Sequence, residues 1–568
     1  MNRSKNWRGL AAVLAVFGAG CTGDLDVDNP NAPDAARAFS DPATIGAVAG
    51  GTIRTWLITR QDYNSGLLIN AMADGYTASW NNFNLRYYTS EGNECPVRCG
   101  WANVLTSAQY IQLETFWYGY YSALSSANDA LTAIRTNGVI IENAANTARI
   151  ETIAVMMQGI VFANIALNYD QGFIVTEETD LTDPLALPLV TSAEMQAAAI
   201  EKLDEAYALA SANEFVTDAS WTGLAQGTIY TNVQIAKLIR TMQAELVAHY
   251  PRNAAQNAAV TGAQWNQVAQ WASQGVSAAP GFDFGFFQDG TVWWDGTRNW
   301  GNDITTVRVD TRLASVITAG PDPSKVHVTP WPSPDGNPQP DAFDARVGNG
   351  SWGPEDDFNG GGTVADDGNG GTDFAYAGSN PYPAARGLYH YSNLGHIRYS
   401  YLAYPGYGLP DEDGTGQAPV YTQAFNDLLW AEGLIRGGGD KALAATLINN
   451  TRVGRGHLTP VTGGDSDASL LAALQYEQDI ELLGIGATIY YNHRRTDRLA
   501  AMTPRQMPIP AKELGLLALE LYSFGGPGNP GGVSAGVTSR PAGVRSVKDI
   551  WADMEKASRA EARSRFRR

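Results

Sequence analysis

Residues 428–458 read LLWAEGLIRGGGDKALAATLINNTRVGRGHL. Apolar residues recur at three- and four-residue spacing on both sides of Gly437-Gly438-Gly439. This predicts a helix ending at Arg436, a stop at the glycines and a second helix over Lys441–Thr451. Two helices joined by a short turn form a helical hairpin, the unit stacked in tetratricopeptide-like scaffolds. The same periodicity runs over Tyr421–Arg436, Ala468–Leu483 and Gly486–Ala500.

Upstream, Ala-rich segments with helical spacing occupy Ala108–Arg135, Thr147–Tyr169, Ser192–Ala212 and Thr231–Tyr250. The first follows Ser107, a hydroxyl start, and stops near Asn137-Gly138, where a left-handed residue fits. Ser192 with Glu194 and Gln196 opens another. No strict repeat of about 34 residues is visible, so the hairpin reading rests on helix pairing. The predicted fold class is all-α, a tetratricopeptide-like helical-hairpin scaffold with a long irregular loop-rich insertion.

That insertion spans 279–419, where helical periodicity disappears into FDFGFFQDGTVWWDGTRNW, VHVTPWPSPDGNPQPD and EDDFNGGGTVADDGNGGTDF. A long non-periodic stretch dense in aromatics predicts ordered, functional loops. The chain therefore divides into a signal peptide (1–20), a lipidated acidic tether (21–39), an N-terminal helical part (40–278), a ligand-facing insertion (279–419) and a C-terminal helical part (420–568) packing on the same scaffold.

The first two parts rest on the N-terminus. Arg3, Lys5 and Arg8 precede an apolar run from Leu10 to Phe17 that ends in Gly18-Ala19-Gly20-Cys21. The run is shorter than the roughly 20 residues a spanning helix needs, and small residues before a cysteine form a lipobox-like site. Cleavage before Cys21 frees its thiol for lipidation, and two or more acyl chains anchor a protein without a spanning helix. Gly18 departs from the Leu usual three positions before such a cysteine. Later apolar stretches such as Ile153–Leu167 are interrupted by Gln158 and Asn164 and suit a buried helix.

The formal net charge is −19, which speaks against nucleic acid as a partner. The one basic cluster, Arg559–Arg568, reads as a solvated helix end or frayed terminus. Cys95 and Cys99, spaced C-x3-C, predict a local disulfide in an oxidising compartment, against two free thiols.

The order of several segments resembles the SusD/RagB family of outer-membrane nutrient-binding lipoproteins. LDVDNPNAPD is similar to its tether, YSALSSANDALTAI to its Ala-Asn helix, and AVMMQGIVFANIALNYDQGF to the helix leading to Tyr-Gly-Asp. IAKLIRTMQAELVAHY resembles its Ala-Lys-x-Leu-x-Ala helix, and the opening stretch its Ala-Glu-Ala helix, Gly-Asp turn and paired arginines. ALQYEQDIELLGIGATIYYNHRRTDRL resembles its Glu-Leu helix with the Arg-rich strand or helix after it, and Met507–Pro510 its closing Pro-Ile-Pro. Arg452 and Arg455 stand one position further apart than usual, Gln478 replaces a basic residue, Gly484–Gly486 lack the Glu-Gly pair, and Asn492-His493 replace a Trp-x-Asp context. The fold thus carries over better than a ligand does.

The resemblance implies a tetratricopeptide-like all-α fold and, as partner, a SusC-like TonB-dependent transporter barrel over which the protein acts as a hinged lid. It implies an outer-membrane location, facing the cell exterior and held through the lipid anchor only. The expected function is binding oligosaccharides and delivering them to the transporter, without catalysis. Oligopeptide capture of the RagB type is the alternative, and a secreted glycoside hydrolase a more distant one.

Aromatic faces suit the CH faces of sugar rings, and polar neighbours meet their hydroxyls. The leading candidates are Trp293, Trp294, Arg298, Asn299 and Trp300, followed by Trp331 and Trp352, then Trp80 with Asn81. For any single tryptophan the competing reading is a pin holding loop to scaffold. Phe116, Trp117, Tyr118, Tyr120 and Tyr121 share a helix and are expected in the core. Glu477 and Glu481 share a helical face and are expected in salt bridges or at helix termini rather than as a hydrolase pair. Asp366-Asp367-Gly368-Asn369 and Asp411-Glu412-Asp413-Gly414 are acidic, but neither has EF-hand spacing. A solvated acidic loop is the preferred reading over calcium, so no cofactor or metal is expected.

Overall fold

Most of the longer helices begin where the sequence places a side-chain oxygen ahead of an apolar stripe; the helix over Ile111–Leu131 is an exception, starting after Tyr110 with no side-chain cap rather than at Ser107. A computed structural model describes residues 41–78, 84–89, 95, 97–217, 229–288, 295–302, 307–319, 343–352, 372–377, 392, 394–399 and 416–527. The N-terminal part contains α1 (Pro42–Gln61), α2 (Leu68–Met72), β1 (Tyr76–Thr77), α3 (Leu85–Thr89), α4 (Ile111–Leu131), α5 (Ala144–Asn168), β2 (Gln171–Gly172), β3 (Val190–Thr191), α6 (Ser192–Ala212), α7 (Asn232–His249), α8 (Ala254–Ala259) and α9 (Gly262–Ala272). The insertion contributes β4 (Phe284–Gln288), α10 (Gly296–Gly301), β5 (Arg308–Val309), α11 (Thr311–Ala319), β6 (Val347–Trp352), β7 (Phe374–Ala377), β8 (Leu394–His396) and β9 (Gly416–Tyr421). The C-terminal part follows with α12 (Gln423–Gly437), α13 (Lys441–Arg452), α14 (Asp467–Ile480), α15 (Thr488–Arg495) and α16 (Ala511–Leu516).

Thr191 and Glu194 form a reciprocal capping box at α6, and Thr231 with Gln234 and Thr261 with Gln264 do the same at α7 and α9. At the opening stretch, Gly438 takes φ +72° and ends α12, while Asp440 accepts from the Ala442 and Leu443 amides to start α13. The helix expected from Tyr421 begins two residues later, because Tyr421 completes β9 and Thr422 caps α12.

The helices form a continuous row. α1 packs on α4, α4 on α5, α5 on α6, α6 on α7, α7 on α9, α9 on α12, and α12 on α13 and α14. The C-terminal helices thus extend the N-terminal stack. Close approach depends on glycine: a Cβ on Gly433 of α12 would sit 2.6 Å from the Ala269 nitrogen of α9. Phe116, Trp117 and Tyr120 of α4 are buried, with Tyr118 and Tyr121 partly buried at the edge. Full burial of such side chains contributes about 1.5–3 kcal/mol each. α5 is long and apolar enough to cross a membrane, yet it is almost wholly buried in this stack, as a core helix is.

The described residues of the insertion include strands that its sequence does not indicate. β4 pairs antiparallel with β9 across some 130 residues, β1 pairs with β5, and β6, β7 and β8 form a three-stranded sheet. Strands this short, paired with distant segments, leave no period in the sequence.

Candidate functional site

The insertion is fastened to the helices by a buried ionic network. Arg346, fully buried, donates through Nη1 to Glu477 (2.8 Å) and Glu481 (3.1 Å) of the α14 region, and through Nη2 and Nε to Asp344 (2.8 and 3.0 Å). Arg455 pairs with Glu481 at 2.7 Å and with Asp373, and Arg398 reaches Glu481 at 2.9 Å. Arg452 lies 3.9 Å from Glu477. Four arginines thus face four carboxylates. Burial pushes Glu477 and Asp373 above the ordinary carboxylate range; burial raises Glu481 too, but Arg398, Arg455 and Arg346 outweigh it and hold it below. The two glutamates are therefore structural counterions.

A second junction lies at α10. Asp295 accepts from the Arg298 amide (2.9 Å), from Arg298 Nη1 (3.1 Å) and from Gln61 at the end of α1 (2.9 Å). Arg298 also donates to the carbonyl oxygens of Gly484 (3.1 Å) and Pro419 and lies over the Tyr399 ring. Asn302 accepts from the Tyr399 amide at 3.1 Å. Gly301 abuts Tyr76, whose phenolic oxygen lies 2.7 Å from His396 Nδ1. Burial, with Arg398 and Arg298 nearby, keeps that imidazole neutral, and burial keeps the phenol protonated.

Just before β1, Asp74 joins three segments. It accepts from Arg98 at 2.5 Å and from Arg312 of α11 at 2.9 Å. Arg98 sits inside the loop closed by the Cys95–Cys99 disulfide, whose Cα atoms are 5.4 Å apart. β1 then pairs with β5 in the register Tyr76↔Val309 and Thr77↔Arg308. The chain leaving β1 and the chain entering β5 therefore lie side by side, with α10 against the same tyrosine.

Of the predicted site residues, Arg298, Asn299 and Trp300 fall on α10. Arg298 is a correction. Its side chain is 0% exposed and its donors are committed to backbone carbonyls and Asp295, so it is an anchor and presents nothing to a ligand. A spacing argument saw a polar neighbour of three tryptophans; burial decided otherwise. Asn299 and Trp300 are partly buried, and Trp300 packs against the core. Trp352 ends β6 opposite Ala377. Trp80, Asn81, Trp293, Trp294, Trp331, Cys21 and both acidic loops lie outside the described residues. No group of three or more His, Cys, Asp or Glu placed to hold a metal occurs among the described residues. The anchors Asp344, Arg346, Asp373 and Arg398 escaped the sequence reading, because isolated charges in a non-periodic stretch give no signal.

No protein-family model matches the sequence, and no curated protein does. Among solved structures, a SusD homolog from Bacteroides thetaiotaomicron VPI-5482 aligns with a TM-score of 0.51 at 13% identity, over 87% of this chain and 97% of that one. The chain has the SusD fold. A SusD-like carbohydrate binding protein from Bacteroides vulgatus ATCC 8482 aligns with a TM-score of 0.49 at 13% identity, over 79% of this chain and 82% of that one. In this chain's version of the SusD fold, the resembling C-terminal segment supplies Arg452, Arg455, Glu477 and Glu481 to the network that receives the insertion. The altered arginine spacing leaves both side chains within reach of glutamates.

Proposed function

We propose that this chain is a SusD/RagB-family lipoprotein, anchored at Cys21 on the outer membrane and facing the cell exterior. It binds oligosaccharides and passes them to a SusC-like TonB-dependent transporter, without catalysis. The observation that carries the reading is the junction of β1, β5 and α10. There Thr77 of β1 pairs with Arg308 of β5, and Gly301 of α10, the helix that carries Asn299 and Trp300, lies against Tyr76. In this reading Trp80, Asn81, Trp293, Trp294, Asn299 and Trp300 offer aromatic faces and amides to sugar rings, with Trp331 and Trp352 as further contacts. Micromolar to millimolar affinity, about 4–8 kcal/mol, suits capture followed by release. Commitment of Glu477 and Glu481 to Arg346 supports a binding role over a hydrolytic one.

The test is calorimetric titration of the mature protein with a panel of oligosaccharides and oligopeptides, alongside mass spectrometry of proteins that co-purify from native membranes. The expected result is glycan binding that falls at least tenfold in W293A/W294A, with a TonB-dependent barrel recovered. Peptide binding alone would favour the RagB-like alternative, and release of shortened sugars would make the protein a hydrolase.

A further inference from the structure

The turn that opens β1 is held by charge from two sides. Asp74 takes φ +61°, a left-handed conformation that aspartate tolerates better than most side chains. Its buried carboxylate accepts from Arg98 at 2.5 Å and from Arg312 at 2.9 Å. At the next residue, the Gly75 carbonyl accepts from the Asp310 amide at 3.3 Å, and the Gly75 amide donates to the Asn70 carbonyl at 3.0 Å. Asp310 accepts in turn from the Arg312 amide at 2.8 Å. The end of β5 and the start of α11 therefore meet this turn through both backbone and side chain.

Arg98 reaches Asp74 from inside the loop that Cys95 and Cys99 close. The far end of that loop is tied to the C-terminal segment. Trp101 donates from its amide to the Phe524 carbonyl at 3.0 Å and from Nε1 to the Gln506 carbonyl at 2.8 Å, and a Cβ on Gly100 would sit 2.5 Å from the Gly525 carbonyl oxygen. Opening the disulfide therefore gives slack first to the side that carries Arg98. Cys95 is partly exposed and Cys99 is buried, so a thiol arriving from solvent meets Cys95.

We propose that the Cys95–Cys99 disulfide is a redox-sensitive switch on the β1–β5 junction, whose reduction frees Arg98 from Asp74 and loosens the pairing of Tyr76 and Thr77 with Val309 and Arg308. Its consequence for ligand, weaker sugar binding in the reduced state, rests on the function proposed above. The reductant is a dithiol. One of its thiolates attacks Cys95 Sγ, the Cys95–Cys99 bond breaks and Cys99 leaves as a thiolate. The second thiol then displaces Cys95, closing the cyclic disulfide of the dithiol, whose two protons end on the two cysteines. The dithiol loses two electrons and the protein gains them. Asp74 stays desolvated on an intact backbone but has lost a guanidinium, and the junction opens more often.

The experiment compares the mature protein before and after reduction with dithiothreitol, following hydrogen exchange of the Gly75 and Asp310 amides by mass spectrometry. Exchange at both is expected to rise at least tenfold on reduction, while amides of α5 over residues 156–160 stay within twofold. R98M should show the fast exchange while still oxidised, and its reduction should add less than threefold. C95S/C99S should match the reduced wild type. Unchanged exchange on reduction of the wild type would overturn the proposal, as would a full tenfold response retained in R98M. In calorimetric titration, a glycan that binds the oxidised protein should bind the reduced one at least fivefold more weakly, and by reciprocity should protect the disulfide from dithiothreitol by the same factor. Equal affinity in both states would overturn control of binding. Absence of glycan binding in either state would instead overturn the sugar reading, with exchange at Gly75 and Asp310 still deciding the switch.

Discussion

Replacing Arg346 with methionine is expected to release the insertion sheet from the helices. The guanidinium is fully buried and serves Asp344, Glu477 and Glu481 at once. Removing one partner from a buried ion pair typically costs 3–5 kcal/mol, because the other charge stays desolvated. Asp344 keeps the Tyr476 hydroxyl, and Glu481 keeps Arg398 and Arg455. Glu477 is left with Arg452 at 3.9 Å and the Thr451 side chain. The cost therefore falls mainly on one carboxylate, and we expect about 4 kcal/mol at pH 7. The Asp373 and Phe374 amides both donate to the Arg346 carbonyl, so their hydrogen exchange reports local opening of this sheet. About 4 kcal/mol corresponds to exchange roughly 10³-fold faster. Glu477 already has a raised pKa, and losing Arg346 raises it further. Its penalty is therefore largest where the group is charged and shrinks as pH falls and the group takes a proton. R346M/E477L, which removes both charges, should recover at least half the loss. Exchange within tenfold of wild type in R346M, or no recovery in the double variant, would refute this account.

Arg298→Lys should lower stability by about 2 kcal/mol in urea unfolding, since lysine cannot reproduce the fork to Gly484, Pro419 and Asp295. Unchanged stability with lost sugar binding would instead make Arg298 a ligand contact. Burial lifts Asp170 to about 7, although Tyr522 donates to it. A raised carboxylate binds its proton more tightly in the folded state, so this group's contribution to stability declines as pH rises from about 4 to 7. D170N should flatten that decline in thermal melts, and an unchanged pH profile would rule the group out. C95S/C99S closes no loop and should cost about 2 kcal/mol by loop entropy. Thermal melts of the oxidised protein and the variant measure it, with exchange of the Trp101 and Asn103 amides as the local readout.

Much of the scaffold was legible from short-range chemistry. The glycines after α12 and the three- and four-residue apolar spacing act within a few residues, so their outcome is written locally; at α6 the expected opening at Ser192 falls one residue after the Thr191 cap. The stretch from 279 to 419 offered no such period, and its strands β4, β5 and β9 exist only because partners distant in sequence meet them. The same separation hid the anchors: Arg346 is one charge among glycines until Glu477 and Glu481 are brought to it. Composition proposed Arg298 as a sugar contact, and the tertiary structure turned it inward, toward carbonyls at Pro419 and Gly484. The sequence by itself determined most of the helices, the glycine stop after α12 and the aromatic wealth of the insertion, because those depend on neighbours along the chain. Which polar groups became buried anchors, and which distant strands pair, only the fold decided, because burial is a property of residues that meet in space.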